Sequence, residues 1–410
     1  MKFLCVIGDG MADFPLEERG GRTPLDLAST PALDTLASEG LCGLFWPIPE
    51  DLPPGSDIGN LSLFGYYPHG AFTGRAPLEA ANQGIPLGPK DVAFRCNLVT
   101  LEDGVMKSFT ADHISSEEAA ELISALDAAC PHDCAFHPGV SYRHLAVIPE
   151  GEVKSAALVE SVCTPPHDIS DQPYSAHLPT GPAGAHLRAL MKWSRPILEG
   201  HPVNESRREA GRLPATSIWL WGQGQAPHME TYRERFGISG AVISAVDLVK
   251  GIGVCAGLEV INVPGATGYI DTNYEGKVAA ALDAIERADF VYLHVEAPDE
   301  CAHEGIIDKK VSAIEDFDRR VVAPCLEAAR AHTDWRILAA PDHITALSTR
   351  THAGGPVPFA VWGSGVVSNG ASRYDEVSAQ RAGFVINPGW RLLPWMIRSE
   401  RLDTHTSWDT

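Results

Sequence analysis

Three strand-like apolar runs in this chain each lead to an aspartate. Phe3 to Ile7 leads to Asp9, Val291 to Val295 leads to Asp299, and Ile337 to Ala340 leads to Asp342. In open α/β sheets ligands gather beyond the carboxyl ends of the strands, so the spacing predicts that these carboxylates converge. Three uncompensated carboxylates repel one another, and a metal ion is their natural partner. Histidines accompany them: His303 stands one helical turn after Asp299, His343 directly follows Asp342, and His352 lies in the loop before the next strand. Imidazole and carboxylate together suit Mn2+ or Zn2+ better than Mg2+, which prefers oxygen ligands. Any one Asp-His pair reads as a capped turn or a surface pair. The whole set at successive strand ends reads as a metal centre.

Ser56 stands in Pro53-Pro54-Gly55-Ser56-Asp57, ahead of a stretch, Ile58 to Phe64, with helical character. Local sequence allows two roles. One is a helix N-cap. The other is a nucleophile, a hydroxyl beside a metal at a helix N-terminus, where backbone N–H groups hold a phosphoryl group.

The elements that position these residues alternate between strand-length apolar runs and helical periodicity, the pattern of an α/β fold with a mainly parallel, buried sheet. Further strands are expected at Val242 to Ser244, Val260 to Val263 and Phe359 to Trp362. Thr30 is placed to cap a helix that has Pro31 at its first position and ends at Gly40. Ile307, Val311, Ile314, Phe317 and Val321 form the apolar face of a longer helix. The middle of the chain reads differently. Val92 to Thr100 and Val105 to Phe109 flank an Asp103-Gly104 turn, Ser115 and Glu118 make a capping box, and Tyr142 to Ile148 is a strand. Residues 76–228 therefore read as an α+β insertion between two core segments, 1–75 and 229–410.

Composition narrows the function. With 32 Lys and Arg against 53 Asp and Glu, the net charge of −21 repels phosphate backbones and anionic membranes, against nucleic-acid binding. No apolar run approaches the ~18 residues of a membrane span. Gly8, Asp9 and Gly10 interrupt the first run before it reaches signal-peptide length, so a cytoplasmic protein is expected. Nine irregularly spaced cysteines read as buried thiols of a reducing compartment. Cys130 and Cys134 with His132 and His137 match no zinc spacing.

The ordered motifs, Ile7-Gly8-Asp9-Gly10-Met11-Ala12-Asp13, Pro54-Gly55-Ser56-Asp57, Thr73-Gly74-Arg75, Ala297-Pro298-Asp299-Glu300 with His303, and Pro341-Asp342-His343 with His352, resemble the archaeal-type cofactor-independent phosphoglycerate mutases of the alkaline phosphatase superfamily. The resemblance runs over essentially the whole chain. It implies an alkaline-phosphatase-like core with an inserted cap, a small phosphorylated substrate and no organic cofactor. It also implies two divalent ions, Mn2+ or Zn2+, with Mg2+ or Co2+ as alternatives. Asp9, Ser56, Asp342 and His343 would hold one ion, and Asp299, His303 and His352 the other. Ser56 would carry the phosphoryl group between two steps, as the cap excludes water. A bacterial branch of the family has been proposed to act as homoserine kinase, so transfer to another acceptor, or hydrolysis, is the rival reading.

A phosphoglycerate also needs cations for its carboxylate. The candidates are Arg143, His144, Lys250, Arg75 and Arg95, of which Arg143 and Lys250 align with substrate-binding cations of the larger bacterial mutases. His167-Asp168 resembles an Arg-Asp pair that serves there as phosphate clamp and acid/base, with His in place of Arg. Trp219 to Gln225 occupies the place of an Arg-rich substrate segment and carries no arginine.

Overall fold

The computed structural model describes residues 1–130 and 134–407. The chain forms two compact units, one from residues 1–72 and 228–410, the other from residues 73–227.

The first unit is built on an eight-stranded sheet. Its strands, in spatial order, are Val385–Ile386, Leu41–Phe45, Val357–Gly363, Trp335–Ala340, Lys2–Gly8, Phe290–Val295, Gly240–Ile243 and Glu259–Val260. Val357–Gly363 alone runs against the others. Lys2–Gly8, Phe290–Val295 and Trp335–Ala340 lie side by side and parallel. They are buried almost throughout, which explains why they read as continuous apolar runs without alternation. Five of the six strands expected here are present and the sixth, expected at Val260 to Val263, is only the two-residue Glu259–Val260; the mainly parallel α/β class is the one observed. Leu41–Phe45 and Val385–Ile386 went unread because their short runs carry no distinguishing period.

Two helix ends depart from expectation. The helix Pro31–Glu39 starts where predicted, but Thr30 makes no side-chain cap. The amides of Ala32 and Leu33 instead donate to the Asp318 carboxylate at 3.2 and 2.7 Å. Asp318 belongs to a π-helical turn, Asp318–Val322, that joins the helix Ile307–Phe317 to Ala323–Arg330. A distant carboxylate thus satisfies the orphan amides of the first turn. Ser56 is the first residue of the helix Ser56–Leu63, with Gly55 at the capping position and no side-chain cap. The N-cap reading of Ser56 is therefore removed.

The second unit is α+β. Val92–Glu102 is its central strand, paired antiparallel with Arg143–Ile148 on one side and Ser217–Gly224 on the other, and extended by the hairpin to Val105–Ser108. Asp103 and Gly104 have φ of 49° and 80°, the left-handed pair that a two-residue hairpin turn demands. The helix Ser116–Ala129 carries the expected capping box. That helix and Gly184–Glu199 supply Leu122, Ile123, Leu126, Leu187, Leu190 and Met191 to a core shared with the sheet. The chain enters this unit at Thr73 and leaves after Pro227, against an expectation of 76 and 228. Thr73 donates to the Gln225 carbonyl at 2.6 Å, which ties the entering and leaving segments together.

The cysteine reading needs one correction. Cys130 and Cys134 form a disulfide, their Cα atoms 6.6 Å apart and so within reach of a bridge. His132 lies outside the described residues, and His137 ends the strand Ala135–His137. Among the described residues, no helix is long and apolar enough to cross a membrane.

Candidate active site

Adjacent parallel strands bring the three aspartates together. Lys2–Gly8 lies between the strands that precede Asp299 and Asp342, and Asp9 continues the ladder through its N–H to the Val295 carbonyl at 2.9 Å. The chain then turns at Gly10, whose φ is +57° and whose N–H donates to Asp342 Oδ1 at 3.1 Å. A Cβ here would lie 2.5 Å from Asp299 Oδ1 and 2.8 Å from its Cβ, so only glycine permits this approach.

The donor atoms of Asp9, Asp342 and His343 lie within 4.8 Å of one another, and so do those of Asp299, His343 and His352. His343 thus reaches both groups, where the sequence assigned it to one. His303 joins the second, its Nε2 3.2 Å from Asp299 Oδ2 and 3.1 Å from His352 Nε2. Ser56 Oγ is 3.0 Å from His343 Nε2. All seven residues expected to bind metal therefore meet in one place.

Outer contacts fix the histidine tautomers. Thr345 Oγ1 donates its single hydrogen to Asp299 Oδ1 at 2.5 Å, so at its 3.1 Å contact with His343 Nδ1 the nitrogen is the donor. His303 Nδ1 likewise faces the Arg350 carbonyl at 2.9 Å. Both rings then turn Nε2 to the centre, the arrangement of metal-ligating histidines. Asn60, one turn after Ser56, donates to Asp342 Oδ2 at 2.6 Å and to the Ser56 carbonyl at 2.8 Å, and is itself held by Tyr292.

The electrostatics call for cations. Asp9 Oδ1 is buried with no hydrogen-bond partner and lies 3.2 Å from Nε2 of His343. Burial and the neighbouring Asp9 push the Asp342 carboxyl up to about 7. Asp9 is also raised, by burial and by Asp299. His303 is pushed up to about 9 by its contact with Asp299. Two imidazole Nε2 atoms and three carboxylates crowd together at these distances and hold protons between them, and divalent ions fit this donor set in place of those protons.

Three contributors went unread in the sequence. Lys310, wholly buried, donates to the Ala12 carbonyl at 3.0 Å, to Asp13 Oδ2 at 2.9 Å and to the Thr345 carbonyl at 2.7 Å, clamping the loops after Asp9 and Asp342. Glu296 is pushed up to about 9 by burial and the nearby acids. His294, inside an apolar strand, has its pKa pushed down to about 4 by burial and is neutral. A histidine within the apolar run Val291 to Val295 was the one available signal.

Lys250 belongs to the same unit and pairs with Asp247 at 3.7 Å. The other expected substrate residues are in the second unit. Arg95 is held by Glu79 at 2.9 Å and lies 4.3 Å over the Trp221 ring. Burial lowers its pKa, Glu79 partly restores it, and the charges of Arg75 and Arg143 lower it further. His167 packs against Trp221 at 5.3 Å, with Asp168 3.5 Å from its Nε2. His144 does not belong with these cations. Strand alternation turns it away from exposed Arg143, it is 2 % exposed, and burial pushes its pKa down to about 3. Its Nδ1 accepts from the Gly139 amide at 3.0 Å. The Trp219 to Gln225 stretch is mostly strand, with Trp219 buried.

A donor set of this kind at the strand ends of a parallel sheet places the chain among the α/β enzymes that bind divalent metals. The family model for 2,3-bisphosphoglycerate-independent phosphoglycerate mutase matches residues 37–204. A protein of that name from Methanothrix thermoacetophila is 52% identical over 97% of this chain and 100% of its own length. A probable one from Geobacter sulfurreducens is 51% identical over the same shares. Among solved structures, a Pyrococcus horikoshii protein superposes with a TM-score of 0.82 at 29% identity, covering 98% of this chain and 99% of its own. The cofactor-independent phosphoglycerate mutase of Thermoplasma acidophilum superposes at 0.66 with 26% identity, covering 97% and 100%. The chain belongs to the family of 2,3-bisphosphoglycerate-independent phosphoglycerate mutases, which are isomerases.

Proposed function

We propose that this protein interconverts 3-phosphoglycerate and 2-phosphoglycerate through a phosphoserine at Ser56. The observation that carries the reading is the position of Ser56 Oγ, 3.0 Å from His343 Nε2 at the meeting point of Asp9 and Asp342. Asp9, Ser56, Asp342 and His343 would hold one divalent ion and Asp299, His303 and His352 the other. Mn2+ or Zn2+ is favoured by the mixed donors. When bound, such ions offset the charge of a phosphoryl group and orient it for in-line displacement.

The chain's own groups account for the rest. Ser56 Oγ attacks phosphorus, the bond from phosphorus to the substrate oxygen breaks, and that oxygen takes up the proton the serine gives up. The glycerate reorients, its other hydroxyl attacks the phosphoserine, and Ser56 recovers a proton. Asn60 holds both the Ser56 turn and Asp342, so the nucleophile and its neighbour keep their register. Arg143, with Arg75 and Arg95, supplies the guanidinium partners that a carboxylate prefers, and Lys250 adds a further cation. Asp168 is assigned the proton exchange with the glycerate hydroxyls, with His167 beside it.

Purified protein with Mn2+ and 3-phosphoglycerate, followed by phosphorus NMR, tests the reading. A growing 2-phosphoglycerate signal is expected. Free phosphate alone would make the protein a phosphatase, and no turnover would point to transfer onto another acceptor.

A further inference from the structure

His294 is wholly buried beside Asp9, and neither the motifs nor the expected metal-ligand set includes it. Its backbone is fixed. His294 is the strand partner of Ile7, and its carbonyl accepts from Lys277 at 3.2 Å. Its Nδ1 lies 3.2 Å from Ser244 Oγ. Ser244 Oγ already accepts from the Val246 amide at 3.0 Å, and its hydrogen has His294 Nδ1 as the acceptor in reach. With the hydroxyl as donor to Nδ1, the ring hydrogen sits on Nε2, the opposite tautomer to His343. Nε2 has no hydrogen-bond partner, and Asp9 Oδ2 lies 3.2 Å away. A nitrogen that carries hydrogen is no metal ligand, but at this distance in a dry interior it attracts a carboxylate even off the ideal line.

We infer that His294 is a positioning residue for the metal centre: its Nε2–H holds Asp9 Oδ2 and leaves Oδ1, the oxygen facing His343, as the one presented to the ion. This rests on the assignment of Asp9 as a ligand. Partners that orient ligating carboxylates typically contribute 10- to 100-fold to metal affinity. Ser244 acts one bond further out by setting the tautomer, and its loss frees the ring to adopt the other one.

Two measurements test the assignment. Calorimetric titration of the metal-free full chain with Mn2+ is expected to show two sites in wild type. In His294→Phe one of them weakens about 10- to 100-fold. His294→Gln, whose amide nitrogen takes the place of Nε2, returns to within a few-fold of wild type, and Ser244→Ala falls between. A merely structural histidine would show the Gln and Phe variants weakened alike, which overturns the inference, as does unchanged affinity in His294→Phe. Nitrogen-15 spectra of histidine-labelled metal-free protein should show the hydrogen of residue 294 on Nε2. Finding it on Nδ1 would make the ring a ligand rather than a positioning group and overturn the assignment. Wild type that bound no Mn2+ would remove the metal centre itself, a separate failure.

Discussion

Asp342 should make the metal-free protein less stable as pH rises, against the usual behaviour of a carboxylate. Its pKa is raised from 3.8 to about 7 by burial and by Asp9. An acid raised on folding contributes fully below its unfolded pKa, and the contribution is lost as pH climbs through the folded one. At ~1.4 kcal/mol per pH unit, the raised pKa costs about 2 kcal/mol at pH 5, where the folded carboxyl still holds its proton, and about 4 kcal/mol at pH 8, where it is ionised. Asp9 shares the same protons, so the pair titrates together. The perturbation is Asp342→Asn, compared with wild type by urea unfolding in EDTA at several pH values. The amide faces the Asn60 donor, a mismatch of ~1–3 kcal/mol that does not vary with pH. The informative quantity is therefore the slope: the variant should gain about 2 kcal/mol on wild type between pH 5 and pH 8. With saturating Mn2+ the order reverses, because a ligand present at 100 times its Kd adds ~2.7 kcal/mol to wild type and far less to the variant. A difference that stays flat with pH in EDTA would refute the argument that crowded carboxylates call for the metal.

Three further outcomes are expected. Ser56→Ala should keep the fold and bind Mn2+ through the remaining ligands, while turnover falls about ten-thousand-fold with little change in KM; near-normal turnover would demand direct transfer without phosphoserine. Arg143→Ala should raise KM by roughly 30-fold, the value of a charge-assisted contact of ~2 kcal/mol, and should raise free phosphate relative to isomerised product; an unchanged ratio with unchanged KM removes Arg143 from the reaction. Gly10→Ala should lose stability and Mn2+ affinity together, because its Cβ runs into Asp299, whereas Gly20→Ala, with a similar φ of +69° and open space around it, should show only the ~1 kcal/mol cost of the backbone in thermal melts; equal losses of affinity would mean that the close approach at Gly10 does not matter.

The sequence by itself determined the class of fold and the chemistry of the donors. Buried parallel strands need unbroken apolar runs, and ligands in such folds follow the strand ends, so Asp9, Asp299 and Asp342 were legible as a set before any geometry was known. The hairpin at Asp103-Gly104 and the capping box at Ser115 were legible too, because both are made by residues a few positions apart. What the tertiary structure decided depends on partners far apart in the chain. From local sequence Ser56 reads better as a cap than as a nucleophile, until the fold sets His343, 287 residues away, 3.0 Å from its hydroxyl. Thr30 was the local choice for a cap, yet Asp318 arrives from another helix and takes the amides. Arg143 and His144 are neighbours in sequence, but the pleat turns them to opposite faces, and burial leaves one of them neutral. Lys310, Thr345 and His294 orient the site through contacts across strands and loops, and no spacing along the chain encodes them, since a hydrogen bond between distant segments exists only once the backbone has brought its two ends within 3 Å or so.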